Sequence, residues 1–171
     1  MEKIILLGYM GSGKTTVAKL LAQKLQIPSY DLDRIIEKNE NISVSDIFKT
    51  KGEIHFRKLE HLAFKKALDS SETFVLGLGG GTPCYANNHE LLNGNGVTSI
   101  YLKASIDTII NRLEAVNDRP LLNGMDREEK QEFIAKHLFD RSYYYNQAKY
   151  TVTVDGKSPE EIVVEIQSLL A

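Results

Sequence analysis

Gly8-Tyr9-Met10-Gly11-Ser12-Gly13-Lys14-Thr15, between the apolar run Lys3–Leu7 and a helical-spaced stretch Thr15–Leu25, decides the fold of this 171-residue chain. The octet satisfies G-x-x-x-x-G-K-[ST] in full. Glycines let such a loop wrap closely around phosphate oxygens, so that main-chain N–H groups converge on them. The following helix adds the positive end of its dipole. Lys14 is expected to reach the β- and γ-phosphates of a nucleoside triphosphate, with Gly11, Ser12, Gly13 and Thr16 around them and the Thr15 hydroxyl on Mg²⁺. A strand running into this loop and then into a helix is the start of an α/β fold with a parallel sheet.

Working outward, the remaining segments keep that alternation. Thr73–Leu78 and Val97–Leu102 read as buried strands, a short strand ends on Asp31, and Tyr150–Val154 is the last. Helical spacing covers Val44–Lys51 behind the cap Ser43, about Glu53–Leu68, Ile106–Leu113, Arg127–Ala148, and Ser158–Leu170 with Pro159 at its first turn. Strands alternating with helices predict a parallel sheet covered on both faces, in one domain. A net charge of -2 argues against a nucleic-acid partner, and no stretch is long enough to span a bilayer. A single cysteine, Cys84, read as a buried small residue, excludes an internal disulfide and a cysteine-based zinc cluster. His55, His61, His89 and His137 have no metal-ligand spacing and read as surface or helix residues. A cytoplasmic, monomeric enzyme is the expectation.

The loop alone does not separate kinases from GTPases or motor ATPases. The chain has no Asn-Lys pair for guanine, and no apolar strand ending in Asp-Glu; Asp155 is the nearest imitation. Those absences favour a small kinase. A kinase needs one carboxylate near Mg²⁺ and another to orient or deprotonate an acceptor hydroxyl, and Asp31-Leu32-Asp33 lies at a strand's carboxyl end, where open sheets bind ligands. Spacing alone equally allows Asp33 to be the N-cap of a helix beginning Arg34-Ile35-Ile36. Arg57, with Glu53 at i−4 and Glu60 one turn on, reads first as a solvated salt bridge. Gly79-Gly80-Gly81 costs backbone entropy that a close approach would justify. Arg119, in the polar loop Val116–Asp126, could close on the γ-phosphate; such an arginine contributes roughly 4–7 kcal/mol. Arg141, before Tyr143-Tyr144-Tyr145, either stacks at the core boundary or forks a carboxylate.

Taken together, GYMGSGKT, DLD at Asp31–Asp33, FRKLE at Phe56–Glu60, GLGGGT at Gly77–Thr82, RPLL at Arg119–Leu122 and Arg141 before the tyrosines resemble shikimate kinase, over essentially the whole chain. The resemblance implies a P-loop, NMP-kinase-like three-layer sandwich around a five-stranded parallel sheet in the order 2-3-1-4-5. It implies a substrate-binding subdomain at about 33–61 and a lid at about 116–126. Asp33 would bind the ring hydroxyls and receive or orient the 3-hydroxyl proton. Asp31 would support Mg²⁺ through water. Arg57 and Arg141 would clamp the shikimate carboxylate, with Gly79, Gly80 and Gly81 placing the ring. Arg119 would close over the phosphates of ATP, and Arg112 would lie beside adenine. Two positions depart from the family's pattern: Lys157 stands where arginine is common at the adenine loop, and Leu78 where threonine is frequent before the glycines. Rival readings are a kinase for gluconate or a nucleoside monophosphate on the same fold, and a non-catalytic nucleotide-binding module.

Overall fold

The computed structural model describes residues 2–116 and 122–171. Its sheet has five strands: β1 (Lys3–Leu7), β2 (Ser29–Asp31), β3 (Phe74–Gly77), β4 (Val97–Lys103) and β5 (Tyr150–Thr153). They run parallel in the order β2-β3-β1-β4-β5, as expected. Strand β1 lies at the centre, with Leu6 opposite Gly77 on one side and Ile100 on the other. Ile4, Ile5, Leu6 and Leu7 are therefore at most 2% exposed, and each such side chain contributes about 1.5–3 kcal/mol by leaving water. The helices are α1 (Lys14–Leu25), α2 (Leu32–Glu40), α3 (Val44–Lys51), α4 (Glu53–Asp69), α5 (Ile106–Ala115), α6 (Arg127–Tyr145) and α7 (Pro159–Leu170).

Because all strands are parallel, β1, β2, β3 and β4 deliver Gly8, Asp31, Gly77 and Lys103 to one edge of the sheet. The functional loops gather there for topological reasons. Caps fix where the helices start. Ser43 accepts from the Asp46 N–H to open α3, and Ser158 forms a reciprocal capping box with Glu161 to open α7 behind Pro159. A similar box of Asp126 with Glu129 opens α6.

One open alternative is decided, and two expectations need correction. Asp33 is not an N-cap: Asp31 is, accepting from the Arg34 N–H at 3.3 Å, and α2 starts at Leu32 with Asp33 in its first turn. Helix α6 ends at Tyr145 rather than Ala148, because Lys149 N–H donates to Ser99 Oγ at 2.9 Å and draws the chain into β5 beside β4. Cys84 is half-buried rather than buried, at the end of a short 3-10 turn over Thr82–Cys84. Arg119 and its neighbours at 117–121 fall outside the described residues. Among the described residues no helix is long and apolar enough to cross a membrane.

Candidate active site

The phosphate loop is braced from several sides. Gly13 is the N-cap of α1 at φ 93°, a left-handed conformation that a side chain would strain. Lys14 folds back on the loop, its Nζ donating to the carbonyls of Gly8 at 2.6 Å and Tyr9 at 3.0 Å. Arg112 on α5 donates from Nη1 to Gly11 O at 3.1 Å. Ser12 is fully buried; its N–H donates to Tyr9 O at 3.1 Å, and its hydroxyl has no hydrogen-bond partner among the described residues. Beside the loop lies a cleft of about 340 Å³ lined by Gly11, Gly13, Lys14, Thr15 and Thr16 together with Asp31, Asp33, Gly79 and Gly80. Donor and acceptor candidates thus share one cavity.

Asp33 is half-buried in this cleft. Burial, then the neighbouring carboxylates of Asp31, Glu60 and Glu37, push its carboxyl up to about 6, with Lys14 pulling the other way. Desolvation and like charge both disfavour the ionised form, so Asp33 is poised between forms near neutrality, as a hydroxyl-orienting group or base requires. Thr15 and Asp31 line the same cleft. A hydroxyl and a carboxylate are hard oxygen donors, the kind Mg²⁺ takes when most of its shell is water and phosphate.

The three glycines make room for the site's own side chains. A Cβ on Gly79 would lie 3.3 Å from Asp33 Oδ1, one on Gly80 3.1 Å from Arg141 Nη1, and one on Gly81 2.7 Å from Arg57 Nη2. Acid and both arginines therefore pack on consecutive residues of one loop. Arg57 is not the solvated pair of the first reading. Its bridge to Glu53 is long, at 3.6 Å, and that glutamate is 53% exposed; its bridge to Glu60 is 2.9 Å, and Glu60 is 1% exposed. The Arg57 Cζ also lies 3.9 Å from the Tyr85 ring centroid and 5.2 Å from that of Phe56. Glu60 in turn accepts from Thr82 Oγ1 at 2.8 Å, and the Thr82 carbonyl accepts from Asn88 Nδ2 at 2.9 Å. This buried chain fixes the turn after the glycines. Replacing Gly81 with alanine would push a methyl into a guanidinium that Glu60 and Tyr85 already pin. We expect Gly81→Ala to raise KM for the acid substrate about tenfold, roughly 1.4 kcal/mol, with KM for the nucleotide within about twofold; steady-state kinetics in both substrates would check it.

Arg141 both stacks and reaches the site: its Cζ lies 5.5 Å from the Tyr9 ring centroid, and its Nη1 donates to Tyr145 Oη at 3.3 Å. On the opposite flank Lys157 is paired with Glu165 at 2.6 Å. Asp155 serves structure: hydrogen bonds from Thr108 and from the Ser105 N–H hold its carboxyl below the usual range and tie the turn after β5 to the start of α5. Glu60, Thr82 and Tyr145 stood within the quoted motifs without a role of their own, and Tyr85 was not singled out. Of these, Glu60 and Tyr145 carried a signal, at i+3 from Arg57 and i+4 from Arg141 on their helices.

Comparison with known proteins gives the family and the overall fold. The family model described as shikimate kinase matches residues 10–171. Shikimate kinase from Flavobacterium johnsoniae is 58% identical over the full length of both chains, and that from Flavobacterium psychrophilum 51% over 99% of both. The crystal structure of shikimate kinase from Bacteroides thetaiotaomicron superposes with a TM-score of 0.89 at 34% identity, covering 99% of this chain and 98% of that one. Shikimate kinase from Acinetobacter baumannii, solved in complex with shikimate, gives 0.86 at 29% identity over 99% and 93%. With its phosphate loop, its acid-and-arginine loop and its strand order all accounted for, the chain belongs to the shikimate kinase family.

Proposed function

We infer that this protein transfers the γ-phosphoryl group of ATP to the 3-hydroxyl of shikimate, giving 3-phosphoshikimate and ADP. The observation that carries the reading is the placing of Asp33, Arg141 and Arg57 on Gly79, Gly80 and Gly81, beside the phosphate loop. The shikimate carboxylate sits between the Arg57 and Arg141 guanidinium groups, whose planar forks suit it. Its ring then spans toward Asp33, which orients the 3-hydroxyl and takes its proton. That oxygen forms the new bond to the γ-phosphorus as the bond to the β,γ-bridging oxygen breaks and ADP leaves. Lys14 and the loop N–H groups hold the phosphates in line, so that catalysis is chiefly positioning and charge stabilisation.

Thr15 and, through water, Asp31 would hold Mg²⁺, which offsets phosphate charge when bound. The family resemblance assigns Arg119, which lies outside the described residues, to the ATP phosphates with a lid at about 116–126, and the segment at about 33–61 to the acid-binding subdomain. Arg112 and Lys157 flank adenine; both already hold protein partners, which favours a positioning rather than a stacking contact. The protein acts as a monomer in the cytoplasm, where ATP is supplied.

A coupled ADP-release assay with shikimate, gluconate and nucleoside monophosphates as acceptors tests the reading. Turnover should require shikimate; turnover with gluconate alone, or ATP binding without transfer, would refute it. Asp33 must be ionised to accept the proton. The acid limb of kcat/KM for shikimate should therefore fall tenfold per pH unit below an apparent pKa near 6. A limb near the ordinary aspartate range would remove Asp33 as the titrating group.

A further inference from the structure

Tyr9 belongs to the phosphate loop, yet its side chain points away from the cleft and into the protein, where it is 2% exposed. Three contacts meet on it. Its carbonyl accepts from Lys14 Nζ at 3.0 Å, its ring carries the Arg141 guanidinium, and its phenol is bonded to His137 Nδ1 at 3.0 Å. His137, Arg141 and Tyr145 stand four residues apart, so they form one stripe on α6. That stripe touches the phosphate loop through His137 and the triple glycine through Tyr145, whose hydroxyl donates to Gly80 O at 2.5 Å. Arg141 lies between these two anchors. Burial pushes the Tyr9 phenol up to about 12, so it keeps the proton it needs to donate. Burial and the Arg141 charge lower His137, so its Nδ1 is available to accept.

We propose that Tyr9 and His137 are positioning residues for Arg141: their hydrogen bond ties α6 to the phosphate loop and sets where the acid-binding guanidinium lies. The inference rests on the shikimate reading above. With the strut broken, Arg141 loses the hydrogen-bonded anchor on its phosphate-loop side and keeps the one at Tyr145. Tyr9 meets Lys14 through its carbonyl, which these side-chain changes leave in place, so the loss falls mainly on the acid substrate.

The test uses the full chain with three variants, His137→Leu, His137→Gln and Tyr9→Phe, and steady-state KM for shikimate and for ATP, with shikimate affinity by calorimetry. His137→Leu removes the acceptor, whereas the glutamine amide oxygen of His137→Gln restores one. Tyr9→Phe removes the donor but keeps the ring under Arg141. Removing one partner of this partly buried hydrogen bond is expected to raise KM and Kd for shikimate about 5–10-fold. KM for ATP should stay within about twofold. His137→Gln should recover most of the loss, and the double variant Tyr9→Phe with His137→Leu should be no worse than either alone, since both cut one bond. Equal shifts in the two KM values, unchanged shikimate affinity, or additive losses would overturn the strut. Wild-type protein that neither binds nor phosphorylates shikimate would overturn the reading beneath it; wild-type turnover with unchanged variants would overturn the strut alone.

Discussion

Asp33→Asn should lower kcat with shikimate by about 10²–10⁴-fold, the range of a positioned acid–base group, while ATP affinity moves by no more than about twofold. The same substitution should stabilise the protein. Asp33 is raised from 3.8 to about 6 in the folded chain, so between those values the native state binds more protons than the unfolded one, and stability falls as pH rises through the window. Above pH 6 the buried carboxylate costs about 3 kcal/mol by that shift. Asparagine lacks the charge and should recover part of it at pH 7.5, and almost none at pH 3. Denaturant titrations at the two pH values, beside the kinetics, separate this from a fold defect. Loss of turnover with equal loss of ATP binding would contradict an acceptor-side role, and a destabilised variant at neutral pH would contradict the electrostatic account.

Arg57→Ala is the second large effect. Removing one member of a desolvated charge pair costs about 2–5 kcal/mol, so shikimate affinity should fall at least 30-fold while ATP affinity holds. The substitution also strands Glu60, which is 1% exposed and has Arg57 Nη1 at 2.9 Å. An unpaired buried carboxylate is strongly destabilising, and melting temperature should drop by several degrees. Adding Glu60→Gln should restore much of the stability, since the amide can still meet Thr82, without restoring shikimate affinity. Calorimetry and thermal unfolding on the single and double variants read the two effects apart. Unchanged shikimate affinity in Arg57→Ala would remove the arginine from the acid clamp.

The contrast between these residues explains what the sequence made legible. Lys14 and Thr15 were readable because a phosphate loop is local: one strand, one turn and one helix fix it. The sheet could be expected as parallel from the strand–helix alternation, but its order came from the family resemblance, because pairings such as Asp31 with Gly77 join distant parts of the chain. Arg57 shows the limit more sharply. On its helix, Glu53 and Glu60 were both within reach, and only tertiary burial makes the second the strong partner. The triple glycine signalled a close approach, but not that Asp33, Arg141 and Arg57 were the groups approaching. Asp31 and Asp33 illustrate the converse ambiguity, since two carboxylates two residues apart can exchange the roles of cap and site group without any change in pattern. Tyr9 and His137 lie 128 residues apart, and neither residue type carries a signal for the other.

The account stands on shikimate being held with its carboxylate between two arginines and its hydroxyl on Asp33. A crystal structure of this chain with shikimate and ADP measures that directly. The account predicts carboxylate oxygens within hydrogen-bond distance of both Arg57 and Arg141, and the 3-hydroxyl within about 3 Å of Asp33. A carboxylate bound by neither arginine, or a 3-hydroxyl turned away from Asp33 and the phosphate loop, would contradict it.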